Sequence, residues 1–431
     1  MKYFMAGIKG VGMSSLACIL KDLGNEVVGY DDYLGETLTL ENLKLRNIKI
    51  VSDIDYLTDQ YVLIYTSAIN NEHKLIKKAL SLNIKMYEYF EFVGEFSKKY
   101  DTISIAGTHG KTTTTAMLSL ILNKKFGCNY IIGDGMGHVD KNSDILVLES
   151  CEYRRHFLKY YPKYTVITNI DLDHVDCYND IEDIISAFQK FVDQTSDKVI
   201  ACGDCPNVKK IKSKNIIYYG LNEDNDIKAT NIEYTKDGSN FDCVINNSLF
   251  GRFNLHIYGK HMIQNALAVI YICYLYGISS DDINLCLNEF TGAKRRFMEE
   301  EYKDVILVDD YAHHPKEVKT VIEHARQKYS DRTIIGVLIP YTYSRVKEFY
   351  RDFAEVLNLC DYSFVTDVEG ARENASDYKG VTKDLIINLT DRCDDISSET
   401  IDKLYKYSNA VILFMGCKDP KWLMDAYKKG K

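Results

Sequence analysis

Short apolar runs alternate with amphipathic segments along most of the chain, and this alternation sets the expected fold. The first run, residues 2–7, has the pattern of a strand, and the segment after it places Met13, Leu16 and Leu20 on one face of a helix. Similar strand-like runs recur as far as residues 410–415, each followed by a polar or glycine-bearing loop. Strands that alternate with helices form parallel sheets covered by helices, so the pattern predicts an α/β protein.

Breaks in this pattern divide the chain into three blocks. The length of 431 residues fits about three domains of roughly 150 residues. A charged hinge at residues 97–101 precedes a second strand–loop–helix unit, and a third block begins near Thr291. Within the second block, residues 215–258 have the turns that are typical of short antiparallel strands. We therefore predict domains at residues 1–97, 98–291 and 292–431.

Charge and cysteine content narrow the class of protein. The chain has 62 acidic and 53 basic side chains, a net charge of −9, which argues against nucleic acid or an anionic membrane as its main partner. The twelve cysteines lack the spacing of a zinc site. We find no signal peptide and no apolar run of about 20 residues, so we expect a cytoplasmic protein without a membrane span.

A glycine-rich turn follows the first strand. Gly10 and Gly12 allow backbone amides to approach a diphosphate at a helix N-terminus, although Ser15 stands where the dinucleotide fingerprint has its third glycine. Asp31 ends the second strand, where an acid that binds a ribose would lie. The pattern favours a nucleotide diphosphate over a nicotinamide cofactor, and simple packing stays open as an alternative.

The strongest motif is Ala-Gly-Thr-His-Gly-Lys-Thr-Thr at residues 106–113, between a strand-like run and an amphipathic helix. This is the context of a phosphate-binding loop, shortened because Ile105 replaces the usual first glycine. Gly107 and Gly110 would expose backbone amides, Lys111 would neutralise the β- and γ-phosphates, and the Thr112 hydroxyl would bind magnesium. A glycine-rich turn that only caps the helix is the alternative.

Five further polar clusters occur along the chain. Glu-Ser-Cys-Glu, which begins at Glu149, and Asp-Leu-Asp-His, which ends at His174, each follow a strand. Their oxygens suit magnesium, and a solvated loop is the alternative interpretation. Asn265 lies in the first turns of a helix over residues 261–276, where capping is the alternative. The basic turn at residues 294–297 contains Arg296, which either clamps a phosphate or is solvated. Asp-Asp-Tyr-Ala-His-His-Pro, residues 309–315, concentrates carboxylates and histidines at a strand end, where a site is favoured over a structural role.

Taken in order, these motifs resemble those of the Mur ligases. The resemblance rests on Gly-x-x-Gly-x-Gly-Met, Gly-Thr-His-Gly-Lys-Thr-Thr, Glu-Ser-Cys-Glu-Tyr-Arg-Arg-His-Phe-Leu, Asp-x-Asp-His, Gly-Lys-His, Gly-Ala-Lys-Arg-Arg-Phe and Asp-Asp-Tyr-Ala-His-His-Pro, and it spans residue 5 to about residue 420. The first, third and last of these motifs are similar to the branch of the family that adds alanine.

The resemblance implies a three-domain fold: an N-terminal Rossmann-like domain, a central P-loop ATPase-like domain with a mixed sheet, and a C-terminal Rossmann-like domain. It also implies an ATP-dependent ligase of peptidoglycan precursor synthesis. Such an enzyme joins a free amino acid, L-alanine in this branch, to the lactyl carboxylate of UDP-N-acetylmuramate through an acyl phosphate. ATP and Mg²⁺ are the implied cofactors, and the implied assembly is a monomer or homodimer.

The same resemblance assigns roles to individual residues. ATP binding is implied for Gly107, Thr108, His109, Gly110, Lys111, Thr112, Thr113, Asn265, Arg296, Asp310 and His313. Magnesium is assigned to Thr112, Glu149 and His174. The UDP-sugar and the acceptor side are assigned to Gly10, Gly12, Asp31, Ser67 and Arg345. Lys111, Arg296 and His174 are the expected catalytic residues, the first two by offsetting phosphoryl charge and His174 as a candidate base.

Three motifs depart from the family pattern and leave the amino acid open. Met262 replaces an asparagine, Tyr341 replaces a histidine, and Gly-Cys-Lys-Asp at residues 416–419 replaces Gly-Ala-Gly-Asp. Other hypotheses therefore stay open. They are a recycling ligase that attaches a preformed peptide to the same UDP-sugar, a nucleotide-dependent switch without ligation, and a nicotinamide dehydrogenase.

Overall fold

The computed structural model describes residues 1–37, 39–292, 295–371 and 373–430. Lys294, in the basic turn noted above, lies outside the described residues. The described residues form three sheets of five, ten and six strands, which follow one another along the sequence. The predicted α/β class is confirmed. No helix within the described ranges is long and apolar enough to cross a membrane.

The first sheet is entirely parallel, with strand order β3-β2-β1-β4-β5. This is the strand order of a doubly wound sheet without its sixth strand, and the centre strand β1 leads into the glycine-rich turn. Its elements are β1 Lys2–Ala6, α1 Val11–Asp22, β2 Glu26–Tyr30, α2 Leu40–Leu45, β3 Lys49–Val51, β4 Val62–Tyr65, α3 Lys74–Ser81, β5 Met86–Glu88 and α4 Tyr89–Ser97.

The second sheet is mixed, with order β15-β14-β13-β12-β11-β10-β6-β9-β7-β8. Its elements are β6 Asp101–Ala106, α5 Lys111–Phe126, β7 Asn129–Ile131, β8 Gly137–His138, β9 Ile145–Glu149, β10 Tyr164–Ile167, α6 Ile181–Asp193, β11 Lys198–Cys202, β12 Ile216–Gly220, β13 Ile227–Thr235, β14 Gly238–Ile245, β15 Ser248–Leu255, α7 Lys260–Leu275 and α8 Ser280–Asn288. The expectation that residues 215–258 are all antiparallel is wrong at its start, because β12 runs parallel to β11 and to β13. Only β13, β14 and β15 form an antiparallel meander.

The third sheet has order β16-β17-β21-β18-β19-β20, and it is parallel except for the edge strand β16. Its elements are β16 Met298–Tyr302, β17 Val305–Asp310, α9 Pro315–Lys328, β18 Thr333–Leu338, α10 Tyr343–Leu357, β19 Tyr362–Val365, α11 Asp384–Ile387, β20 Cys393–Asp395, β21 Ala410–Met415 and α12 Lys421–Gly430. The central strand β21 is apolar throughout and fully buried, as a strand covered by helices on both faces must be.

Each sheet lies between layers of helices, and the polar residues of interest lie at the carboxyl ends of its parallel strands. In the second sheet, β6, β9 and β10 are neighbours, so the loops that follow Ala106, Glu149 and Ile167 lie side by side. In the third sheet, β17 ends at Asp310 beside the end of β21. Ligands bind open α/β sheets at these ends, so the topology places the candidate residues at sheet edges suited to a ligand.

Candidate active site

The phosphate-loop motif forms a tight turn between β6 and α5. Gly107 has φ +135 and Gly110 has φ +82, both in the region that favours glycine, and Gly110 caps the N-terminus of α5. The helix has 16 residues, so its N-terminus presents free backbone amides and the positive end of the helix dipole. These features make the N-terminus of α5 suitable for an anion.

Gly107 provides a test of this turn. A methyl group at Gly107 would overlap the Thr168 hydroxyl and approach the backbone of Asn169 to 3.1 Å. We expect Gly107→Ala to displace the loop and to lower ATP-dependent turnover by about 100-fold, a loss of roughly 3 kcal/mol. Gly24→Ala is the matched control, because Gly24 also has a positive φ (+88) but nothing lies within 4 Å of its added methyl group. Equal loss of turnover in both variants would contradict the assignment.

Lys111 is held by acceptors from two loops. Its Nζ lies 2.9 and 3.2 Å from the two carboxylate oxygens of Glu152, and it donates to the carbonyls of Gly107 (2.5 Å) and Thr108 (3.0 Å). Burial disfavours the charged amine, but the Glu152 carboxylate outweighs this effect and raises the pKa of Lys111. The amine is thus charged throughout the neutral pH range.

Thr112 and Glu149 bring two hard oxygens together. The Thr112 hydroxyl donates to Glu149 Oε1 at 2.8 Å, and the backbone amide of Gly133 donates to Glu149 Oε2 at 2.6 Å. Burial raises the pKa of Glu149, and nearby Lys111 partly opposes this rise. Within the described ranges, no three His, Cys, Asp or Glu side chains form a metal cage. The oxygens fit Mg²⁺, which takes few protein ligands and completes its shell with water and phosphate.

His174 lies on the other side of Glu152. Its Nε2 is 3.8 Å from Glu152 Oε1, and its ring centroid is 4.9 Å from that of Tyr153. Its φ of +51 is unusual for a residue with a side chain, and such strain is common beside ligand sites. The structure therefore joins His174 to Lys111 through Glu152.

A cavity of about 320 Å³ lies between the phosphate loop and the third sheet. The loop contributes His109, Gly110 and Thr113 to its wall, and α7 contributes Asn265. The amide nitrogen of Asn265 is buried and has no hydrogen-bond partner within the described part of the chain. Because an unsatisfied buried donor is costly, this atom indicates a ligand with a matching acceptor, such as a nucleobase. Thr108 is not part of the wall; its hydroxyl bonds to the backbone of Asp171 and fixes the loop.

The two adjacent arginines have different roles. Arg295 donates to both oxygens of Asp309 and to carbonyls at residues 416–418, so it is occupied by the protein itself. Arg296 lines the cavity, and its charge is favoured by Glu317 and Asp310 although burial opposes it. Asp310 accepts backbone hydrogen bonds from Phe297 and Ala312, both at 2.8 Å, which holds the segment that carries Arg296. Burial raises the pKa of Asp310 to about 6.

The predicted residues His109 and His313 meet across the second and third sheets through one carboxylate. Glu317 Oε1 lies 3.2 Å from His109 Nδ1, and Glu317 Oε2 accepts from the His313 backbone amide at 3.1 Å. Next to it, Lys316 forms an ion pair with Asp171. Burial lowers the pKa of His313 to about 4, so the ring is neutral near pH 7. The phosphate loop is therefore linked directly to helix α9.

Arg345 forms a second link between these sheets. Its Nη2 and Nε lie 2.7 and 3.2 Å from Asp173 Oδ1, and its Nη1 donates to the Tyr341 carbonyl at 3.3 Å. Both side chains of the pair are nearly buried, at 7% and 8% exposure. The resemblance predicts Arg345 on the acceptor side, and in the structure its guanidinium contacts Asp173 and the Tyr341 carbonyl.

The glycine-rich turn faces the same region from the first sheet. Gly10 caps α1, and Gly12 lies so close to Tyr89 that a methyl group would be 2.8 Å from the tyrosine hydroxyl. The Asp31 carboxylate accepts from the backbone amides of Lys9 (2.9 Å) and Tyr33 (3.0 Å), so it orders the turn. Ser67 is exposed in the turn after β4. Together these residues line the carboxyl edge of the first sheet.

Three carboxylates of the site received no individual role from the sequence. Glu152 pairs with Lys111, Glu317 joins two histidines, and Asp173 pairs with Arg345. Glu152 and Asp173 lie inside the motifs that we singled out, and Glu317 lies four residues after His313, the spacing of one helical turn. The contacts of Glu152 with Lys111, Glu317 with His109 and Asp173 with Arg345 join distant parts of the chain, which spacing alone does not reveal.

Comparison with known proteins agrees with this geometry. Three family profiles match consecutive parts of the chain: "Mur ligase family, catalytic domain" at residues 2–101, "Mur ligase middle domain" at residues 105–273 and "Mur ligase, glutamate ligase domain" at residues 295–417. The chain belongs to the Mur ligase family. The Mur ligase resemblance and the three-domain α/β fold predicted from the motifs are thereby confirmed.

Individual Mur ligases resemble the whole chain. The UDP-N-acetylmuramate–L-alanine ligase of Limosilactobacillus reuteri is 40% identical over 430 residues, which cover 99% of this chain and 98% of that protein. The crystal structure of the UDP-N-acetylmuramate–alanine ligase of Thermotoga maritima has a TM-score of 0.80 at 24% identity and covers 100% of this chain and 98% of its own. A murein peptide ligase from Psychrobacter arcticus has a TM-score of 0.71 at 22% identity, with 99% of both chains covered.

Proposed function

We propose that this chain is an ATP-dependent ligase that joins L-alanine to the lactyl carboxylate of UDP-N-acetylmuramate during peptidoglycan precursor synthesis. One observation carries the proposal. The charged Lys111 amine lies at the N-terminus of α5, and both Lys111 and Arg296, which lines the adjacent cavity, act on the Glu149 carboxylate. The near full-length similarity to an alanine ligase supports alanine as the amino acid.

The chemistry explains why two ligands must meet at Lys111. A carboxylate is a poor electrophile, because an attacking amine would have to expel an oxide. Transfer of the γ-phosphoryl group of ATP to that carboxylate gives an acyl phosphate, whose phosphate leaves when the amine attacks. Catalysis of the first step consists mainly of positioning and charge stabilisation. Lys111 in the phosphate loop and Arg296 on the cavity wall both act on Glu149 and would share the charge of the phosphoryl group.

We infer that magnesium is bound by Thr112 and Glu149, with His174 as a further candidate ligand. When bound, the ion would neutralise phosphate charge and polarise the transferring group. The Thr112 hydroxyl and the Glu149 carboxylate already lie 2.8 Å apart, which supports the assignment. Asn265 and Asp310 are proposed to act on the nucleotide side, Asn265 through its unpaired amide and Asp310 by holding the segment of Arg296.

The base that removes a proton from the amino acid is proposed to be His174. Its ring lies beside Glu152, which also holds the Lys111 amine, so it is near the phosphoryl-transfer position. We further propose a cytoplasmic enzyme, monomeric or homodimeric, that acts without nucleic acid or membrane, with domain boundaries near residues 97 and 291.

A panel of amino acids tests this proposal. With UDP-N-acetylmuramate and ATP present, we expect L-alanine to give the fastest phosphate release and mass spectrometry to show the alanyl product. A preformed tripeptide tested in parallel represents the recycling activity. Faster release with the tripeptide would assign the chain to peptide recycling, and phosphate release without a new amide would indicate a nucleotide-dependent switch. Omission of the UDP-sugar is the control, because ATP alone should give little phosphate.

A further inference from the structure

Two consecutive arginines beside the site have strained backbones. Arg154 has φ 50 and ψ 24, and Arg155 has φ 59 and ψ 26, so both are in the left-handed region. This region is unfavourable for a residue with a Cβ atom, and consecutive examples are held there only by their surroundings. Tyr153, which precedes them, packs against the candidate base His174, whose φ of +51 is also left-handed. The strain is therefore concentrated where a ligand is expected.

The two arginines differ in what their side chains contact. Arg155 Nη2 lies 2.6 Å from Asp183 Oδ1, and its guanidinium lies 5.1 Å from the ring centroid of Tyr178. Arg155 thus has a structural partner. Arg154 is exposed and lies 5.4 Å from the ring centroid of Tyr153, but within the described ranges it has no hydrogen bond and no ion pair. In the part of the chain that the structure describes, no hydrogen bond or ion pair of the guanidinium compensates for this unfavourable backbone.

Arg154 lies where the first sheet meets the second. The ring of His156, two residues later, stacks on Phe90 of α4 with centroids 3.6 Å apart. The positive charge of Arg154 also acts on Glu88, the last residue of β5. The end of β5 belongs to the same carboxyl edge as the Gly10–Gly12 turn. This edge continues toward Glu149 through Tyr89, the first residue of α4.

We propose that Arg154 binds an anionic group of the UDP-sugar as that substrate extends from the Gly10–Gly12 turn toward Lys111. This assignment rests on the proposed function. A guanidinium binds phosphate and carboxylate oxygens through two parallel hydrogen bonds, so the partner is either the diphosphate or the lactyl carboxylate. The left-handed turn holds the arginine at the cleft before the substrate arrives. Arg154 is thereby a binding residue for the UDP-sugar rather than for ATP.

Substitution of Arg154 by glycine separates an effect on substrate binding from an effect on folding. Glycine adopts the observed backbone without strain, so we expect Arg154→Gly to keep or raise the Tm while it weakens the Kd for UDP-N-acetylmuramate at least about tenfold. The measurement is calorimetric titration of the full-length protein. Arg155→Gly is the matched control, because it relieves the same strain but removes the ion pair with Asp183; it should keep the Kd. The KM for ATP should stay unchanged in Arg154→Gly.

Titration with UDP-N-acetylglucosamine, which lacks the lactyl group, shows which anionic group of the substrate Arg154 binds. Weaker binding of both UDP-sugars by Arg154→Gly assigns Arg154 to the diphosphate, and weaker binding of the muramate alone assigns it to the carboxylate. Unchanged affinity for both, with the wild type binding normally, overturns the inference and leaves the proposed function intact. A wild-type protein that binds neither UDP-sugar overturns the proposed function itself. Arg154→Asn, which also tolerates the left-handed region, gives the same readout if the glycine variant does not fold.

Discussion

Replacement of Lys111 by alanine is expected to lower phosphate release, in the presence of UDP-N-acetylmuramate and alanine, by about 10³-fold or more. The physical reason is the loss of the fixed charge at the phosphate loop. The Lys111 amine is buried and its pKa is raised above its ordinary value, so it is a cation throughout the working pH range. The α5 amides carry only partial charges and Arg296 lies on the cavity wall, so neither replaces the full charge of Lys111. Single-turnover phosphate release measures the effect.

A second effect of the same substitution has to be separated from catalysis. Glu152 is 2% exposed, and without Lys111 its carboxylate would be buried without its main partner. We expect this to cost about 3 to 5 kcal/mol of unfolding free energy. The double variant Lys111→Ala/Glu152→Gln removes the unpaired charge, so it should recover stability but not activity. Recovery of turnover in the double variant, or normal turnover in Lys111→Ala, would contradict the role of Lys111.

The fold could be predicted from the sequence because its signals are local. A strand followed by a glycine-rich turn and a helix occurs twice, at residues 2–22 and 101–126, and in both places the structure has these elements. The order of apolar runs also predicts parallel sheets. The parallel pairing of β12 was missed, since short strands separated by turns are also typical of hairpins. Pairing direction depends on tertiary packing rather than on the pattern of one segment.

The site was predicted less completely, and the reason is again physical. Glycines and Lys111 of the phosphate loop are constrained by a turn of a few residues, so their spacing is diagnostic. Arg295 and Arg296 are indistinguishable in sequence, yet one is occupied by Asp309 and the other faces the cavity. Arg154 and Arg155 are likewise adjacent, yet Arg155 pairs with Asp183 and Arg154 is exposed. Which member of such a pair is available depends on contacts with residues tens or hundreds of positions away.

The other large expected effect comes from loss of the ion pair between Arg345 and Asp173. Arg345 belongs to α10 at the third sheet, whereas Asp173 follows β10 of the second, so the pair joins two sheets across the site. Arg345→Ala leaves a buried carboxylate and Asp173→Asn leaves a buried guanidinium. We expect each substitution to weaken the docking of the third sheet against the second by a free energy of about 3 to 5 kcal/mol. If the free energy of this docking falls by about 3 kcal/mol, kcat/KM falls by roughly 100-fold. Steady-state kinetics and scanning calorimetry of both variants measure these effects.

Comparison of the two variants distinguishes a link between the sheets from a substrate contact. Because the guanidinium donors of Arg345 that contact the protein are directed at Asp173 and the Tyr341 carbonyl, the two single variants should have similar defects. Combining them should add little, since either change already breaks the pair. A much larger rise in the KM for alanine with Arg345→Ala than with Asp173→Asn would instead assign Arg345 to the amino acid.

The pH dependence of this pair follows from Asp173. Burial disfavours its charged form, but Arg345 outweighs burial and the pKa of Asp173 lies well below its ordinary value. A carboxyl group with a depressed folded-state pKa contributes stability above its unfolded pKa of roughly 4 and loses it only as the pH falls further. We therefore expect the difference in unfolding free energy between the wild type and Asp173→Asn to be constant from about pH 8 to pH 5. The difference should shrink below about pH 4. A difference that already shrinks between pH 7 and pH 5 would show that the pair is not held as the structure places it.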